Sequence, residues 1–149
     1  MNRDFSDMLS ALSAEGVEYL LIGAYAMAVH GVPRATGDID VWVRPSPANA
    51  DRVLRALARF GAPLGDLRAA DLATEGAVFQ VGVAPIRIDI ITAVDGIAFD
   101  DAWPNRVTST LAGLTIPVIG REDLIRNERA TGRSQDRVDA DRLENPEEP

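Results

Sequence analysis

Two aspartates separated by one residue stand inside an apolar, β-forming run, Asp38-Ile39-Asp40-Val41-Trp42-Val43. Aspartate is depleted from strands because its short carboxylate competes with the ladder for backbone hydrogen bonds. At spacing two, both side chains point to one face, roughly 6.5–7 Å apart along the strand. Ile39, Val41 and Val43 take the opposite face. A third acid follows the same pattern in Ile86-Arg87-Ile88-Asp89-Ile90-Ile91, where the isoleucines at 86, 88 and 90 share a face and Asp89 stands opposite. If the two strands are neighbours, about 4.8 Å apart, Asp89 meets the first pair across one ladder. Three bare carboxylates at about 5 Å would repel by roughly 3 kcal/mol per pair at an effective dielectric near 20. A divalent cation removes that cost, and hard oxygen ligands favour Mg²⁺, with Mn²⁺ as the alternative. Metals held by shared carboxylates suit phosphoryl or nucleotidyl transfer. The plainer reading pairs each acid with an arginine. Arg34, Arg44 and Arg87 are near in sequence, and Arg87 shares a face with Asp89.

Placing these acids requires the surrounding elements. Apolar residues at Phe5, Met8, Leu9 and Leu12 mark a helix face closed by Gly16. Val17–Ile22 reads as a buried strand that runs into Gly23 and a short helix ending near His30-Gly31. Such a junction lets backbone N–H groups approach a phosphate closely. Ser46-Pro47 is a cap followed by a first-turn proline, opening a helix to about Phe60. A short helix is expected at Ala69–Leu72, then strands at Ala77–Val83 and Ile86–Thr92 around an Ala84-Pro85 turn. Arg106–Leu111 and Leu114–Ile119 read as a hairpin turning at Ala112-Gly113. Two helices, Arg121–Ala130 and Ser134–Leu143, are hinged at Thr131-Gly132-Arg133. This is an α/β chain with a mixed sheet, expected to form one domain over residues 1–144 with a disordered acidic tail at 145–149.

Several other residues have plain readings. His30 reads as a packing or helix-end residue, with a substrate contact near Arg34 as the alternative, and Trp42, on the acids' face, as a wall of the sheet, with stacking on a base as the alternative. Asp136, Asp139 and Asp141, interleaved with Arg133, Arg137 and Arg142, read as a solvated helix face. No Gly-x-Ser-x-Gly elbow supports serine-nucleophile chemistry. The bulk numbers bound the rest. At 149 residues, 46% hydrophobic and 26% charged, the chain can build a core without staples. It has no cysteine, so a thiolate metal site is excluded. The formal charge of −8 argues against broad DNA or RNA binding through phosphates. No apolar run approaches a membrane span and the first residues lack a signal-peptide core, so a cytoplasmic location is expected.

The run Leu21-Ile22-Gly23-Ala24-Tyr25-Ala26-Met27-Ala28-Val29-His30-Gly31, continued by Pro33-Arg34-Ala35-Thr36-Gly37-Asp38-Ile39-Asp40, resembles the minimal nucleotidyltransferases of bacteria. These belong to the DNA-polymerase-β-type superfamily and include abortive-infection and toxin–antitoxin proteins. Residues 120–136 are similar to that family's basic C-terminal helix followed by an acid. The resemblance spans about residues 5–143. It implies a nucleotidyltransferase-like mixed, twisted sheet flanked by helices, with a C-terminal helical element. It implies a metal triad of Asp38, Asp40 and Asp89, and a nucleotide site drawing on Gly23, Ala24, Arg34, Thr36 and Arg129. The implied reaction moves an NMP from an NTP to a hydroxyl of RNA, protein or a small molecule, with a toxin–antitoxin partner protein as a further expectation. Two departures stand out. Ala24 sits where the family often has a triphosphate-binding serine, and Glu128 where it usually has lysine. They favour the alternative of a degenerate binding protein, an antitoxin or regulator, while the intact triad favours an enzyme.

Overall fold

A computed structural model describes residues 2–83 and 86–145. The expected Ala84-Pro85 turn and residues 146–149 of the expected tail lie outside the described residues. Chain order is α1 (Arg3–Ala14), β1 (Tyr19–Ile22), α2 (Gly23–Val29), β2 (Asp38–Val43), α3 (Pro47–Phe60), α4 (Ala69–Leu72), β3 (Val78–Val83), β4 (Ile86–Ile91), α5 (Phe99–Ala102), β5 (Val107–Leu111), β6 (Leu114–Val118), α6 (Arg121–Ala130) and α7 (Ser134–Glu144). A 3₁₀ turn, Trp103–Asn105, follows α5.

Six strands form one mixed sheet in the order β3-β4-β2-β1-β6-β5. β2 runs antiparallel to β1 and parallel to β4. Among the described residues β1 is the one strand buried at every position, as a central, wholly apolar strand should be. In β2 the alternation holds on one face, where Ile39, Val41 and Val43 are buried. On the other face Asp38 and Asp40 are half-buried, but Trp42 is covered. The cover comes from α5: the Phe99 ring meets Trp42 edge-on at 5.2 Å and stacks on Trp103 at 5.5 Å. The acid-bearing face is therefore open at one end of β2 and closed at the other. Ser46 caps α3 by accepting from the Asn49 backbone N–H, with Pro47 in the first turn. Gly61 ends α3 in the left-handed conformation, at φ 93°. α1 lies against α3, burying Phe5, Met8, Leu9 and Leu12.

Candidate active site

Parallel pairing of β2 with β4 sets the site. The register places Asp40 opposite Asp89 and Asp38 opposite Arg87. All three aspartates line one cleft of about 630 Å³, together with Gly23, Ala24, Arg34 and Thr36. Each acid is held differently. Arg87 lays its guanidinium on Asp89, Nε to Oδ1 at 3.0 Å, and reaches Asp38 Oδ2 with Nη2 at 3.4 Å. The arginine-pairing alternative thus holds for Asp38 and Asp89. Arg34 and Arg44 go elsewhere, to Asp139 and to Glu18 with Asp100.

Asp40 is the exception. Burial, then the charges of Asp89 and Asp38 and a hydrogen bond with Asp89, push its carboxyl up to about 6 against the opposing pull of Arg87. Gly23 presses against it. A Cβ built on Gly23 would stand 3.3 Å from Asp40 Cγ and nearer still to Oδ2. Gly23 also has φ +68°, a conformation few other residues adopt. The glycine is therefore what lets the end of β1 approach the acid. Asp40 and Asp89 are hydrogen-bonded to each other and Asp38 shares their face, an all-oxygen donor set of the kind a hard divalent cation takes, but among the described residues the three acids whose oxygens converge within 4.8 Å are Glu128, Asp136 and Asp139.

The loop before β2 is tied to the site through Thr36, whose Oγ1 accepts from the Asp38 backbone N–H at 3.0 Å. Arg34 lines the cleft and is ion-paired with Asp139. Arg129 is outside the cleft lining, directed to Asp141 at 3.1 Å and Glu144 at 2.8 Å. His30 contacts the Ile119 carbonyl through Nε2 at 2.7 Å, in keeping with a packing role.

The opposite wall was not legible locally. Asp136 and Asp139 are buried, at 9% and 0% exposure, which corrects the expectation of a solvated face. α7 folds back on α6 across Thr131-Gly132, so these acids meet buried Glu128. Burial, then hydrogen bonding to Asp136 and the charges of Asp136 and Asp139, push Glu128 up to about 8, with Arg34 opposing. Burial also acts to raise Asp136, but hydrogen bonds from Thr131, Glu128 and Arg133 outweigh it and hold that acid below its ordinary range. Glu128 is therefore the protonated member and Asp136 the ionised one near neutral pH.

These features define the class by fold: the chain has the nucleotidyltransferase fold. A candidate nucleotidyltransferase from Thermotoga maritima, TM1012, superposes with TM-score 0.63 at 17% identity, over 97% of this chain and 92% of that one. Lincosamide antibiotic adenylyltransferase LnuA, solved with lincomycin, matches with TM-score 0.60 at 13% identity, over 97% and 96%. ANT(2″)-Ia, solved with adenylyl-2″-tobramycin, matches with TM-score 0.60 at 14% identity, over 93% and 84%. At these identities the likeness is one of fold. No family model matches the sequence. No curated protein matches it either.

Proposed function

We propose that this chain is a metal-dependent nucleotidyltransferase that joins an NMP from an NTP to an acceptor hydroxyl. The carrying observation is the register of Asp40 with Asp89, with Asp38 on the same face, in a cleft where Gly23 abuts Asp40. Asp38 and Asp40 would hold Mg²⁺ or Mn²⁺, and Asp89 would complete the site for the ion at the reacting phosphate. Bound there, a divalent cation supplies charge neutralisation at the α-phosphate and the leaving oxygen. Gly23, Ala24 and Thr36 shape the phosphate side of the cleft, and Arg34 offers it a cation. Arg129 would reach a nucleotide only by leaving Asp141 and Glu144. The acceptor oxygen bonds to the α-phosphorus, its proton passes to Asp89, and the bond to the bridging oxygen breaks as pyrophosphate departs. Adenylyl transfer by LnuA and ANT(2″)-Ia on the same fold supports the reaction class. A cytoplasmic setting follows from the need for NTP, and among the described residues no helix is long and apolar enough to cross a membrane. A toxin–antitoxin setting with a partner protein rests on the sequence resemblance alone.

One observation favours the second reading, a degenerate binding protein. Glu128, in place of lysine, is a buried acid beside Asp136 on the cleft wall. The deciding experiment compares NTP binding by the wild type with that of Ala24→Ser/Glu128→Lys. Each charge-assisted phosphate contact contributes roughly 1.5–3 kcal/mol, so the double variant should bind at least about tenfold tighter. Wild type that binds and transfers supports the enzyme. Wild type that binds no NTP, with binding regained in the double variant, supports the degenerate reading.

A further inference from the structure

Glu128, Asp136 and Asp139 bring carboxyl oxygens within 4.8 Å of one another on the wall opposite Asp38, Asp40 and Asp89. The grouping invites a second cation, but its oxygens already have partners. Asp136 Oδ2 accepts from Thr131 Oγ1 at 2.6 Å and from Arg133 Nε at 2.7 Å. Asp139 accepts from Gln135 Nε2 at 2.9 Å with Oδ1, and from Arg34 with Oδ2. With Glu128 protonated, Asp136 and Asp139 set two negative charges against two guanidiniums, which leaves the wall no surplus charge for a metal ion.

What the cluster holds is Arg133. Gly132, in the left-handed conformation at φ 74°, turns the chain from α6 into α7 and sets Arg133 on the cleft lining. Its Nε is fixed on the buried carboxylate of Asp136, one helical turn on, while its side chain is 75% exposed. Three cations line the cleft. Arg87 has Nε and Nη2 on Asp89 and Asp38, and Arg34 has Nη1 on Asp139. Arg133 keeps both Nη nitrogens without a hydrogen-bond partner among the described residues. A guanidinium held at Nε and open at Nη1 and Nη2 is a pre-aimed fork for phosphate oxygens. We propose that Arg133, anchored by Asp136, grips the terminal phosphates of the NTP, the role that the sequence resemblance gives to Arg129. Arg129 lies outside the lining and is engaged by Asp141 and Glu144. The inference rests on the nucleotidyl-transfer reading. Breaking the bond to the bridging oxygen leaves its electron pair on pyrophosphate, and a fork on those oxygens stabilises the charge as it develops. Asp136 acts through Arg133 and is a positioning residue. A lysine at 133 would have one ammonium to divide between Asp136 and the phosphate.

Calorimetric titration of the full chain with the Mg²⁺ complexes of the common NTPs tests this, with the matching NMP as the ligand that lacks both terminal phosphates. Arg133→Gln, at an exposed position, should loosen the tightest NTP at least about tenfold and leave the NMP unchanged. Arg133→Lys should recover only a minor part of that loss. Asp136→Ala should loosen the NTP as much as Arg133→Gln does and spare the NMP, and the two changes combined should cost no more than either alone. Asp136→Asn, whose amide oxygen still accepts from Arg133 Nε, should keep most of the binding. If Arg133→Gln binds the NTP as wild type does, or if Arg129→Gln carries the loss instead, the inference is overturned and the transfer reading stands. Full recovery in Arg133→Lys, or equal losses of NTP and NMP in Asp136→Ala, would overturn the anchored fork. A wild type that binds no NTP overturns both readings.

Discussion

Replacing Gly23 with alanine should damage the site far more than one methyl group ordinarily does. Gly23 has φ +68°, where an L side chain is strained by roughly 1–2 kcal/mol. The new Cβ would also sit 3.3 Å from Asp40 Cγ and closer to Oδ2, with Asp40 fixed on a central strand. To regain ordinary van der Waals separation the carboxylate must retreat by on the order of 1 Å. A misplacement of that size at a reacting centre costs about 100-fold in rate. Thermal unfolding should therefore fall by several degrees, at about 2–4 °C per kcal/mol for a chain near this length. The added stabilisation by Mg²⁺ should largely vanish, and NMP transfer should drop about 100-fold. Melting scans with EDTA or Mg²⁺, followed by transfer of α-labelled NTP, make the measurement. A Gly23→Ala protein with wild-type Mg²⁺ stabilisation would refute the reasoning, because Asp40 would then tolerate the displacement or lie outside the metal site.

Three further outcomes are expected. Saturating Mg²⁺ or Mn²⁺ should raise the melting temperature, by an amount equivalent to about 2.7 kcal/mol at 100 times Kd, and Asp38→Asn with Asp40→Asn should abolish the gain. Arg87→Gln should lower the melting temperature in EDTA, since it strips Asp89 and Asp38 of their shared guanidinium, and Mg²⁺ should recover more stability in this variant than in wild type. Glu128 provides a pH test. Its folded value of about 8 lies above its ordinary 4.5, so the native state holds an extra proton between them. Stability should fall by a few kcal/mol as pH rises through that window, measured by urea unfolding, and Glu128→Gln should flatten the fall. An unchanged slope in that variant would assign the titration to another group.

Much of the candidate site's geometry was legible because acids in strands violate a local preference. Asp38, Asp40 and Asp89 announce themselves against β-branched neighbours, and alternation places Asp38 and Asp40 on one face, while the pairing of the two strands and its register come from the structure. The hairpin turn was equally readable: Ala112 and Gly113 both adopt positive φ, as a two-residue turn requires. Local pattern failed where geometry is tertiary. Phe99–Ala102 is too short for periodicity to register, yet it closes the site's far end over Trp42. Arg133, Arg137 and Arg142 around Asp136 and Asp139 mimic a solvated face, and only the return of α7 against α6 buries both acids. Arg129 and Arg34 show the same limit. Their position in sequence does not tell which acid each will meet.

We propose Asp38, Asp40 and Asp89 as the centre for nucleotidyl transfer. The most direct measurement follows α-labelled NTP with Mg²⁺ in wild type and in Asp89→Asn, scoring NTP binding and covalently transferred NMP together. Both proteins should bind NTP, wild type should release pyrophosphate with labelled NMP joined to an acceptor, and Asp89→Asn should transfer none. Transfer by Asp89→Asn at the wild-type rate would contradict the proposal, as would a wild type that binds NTP with Mg²⁺ and transfers nothing to any acceptor.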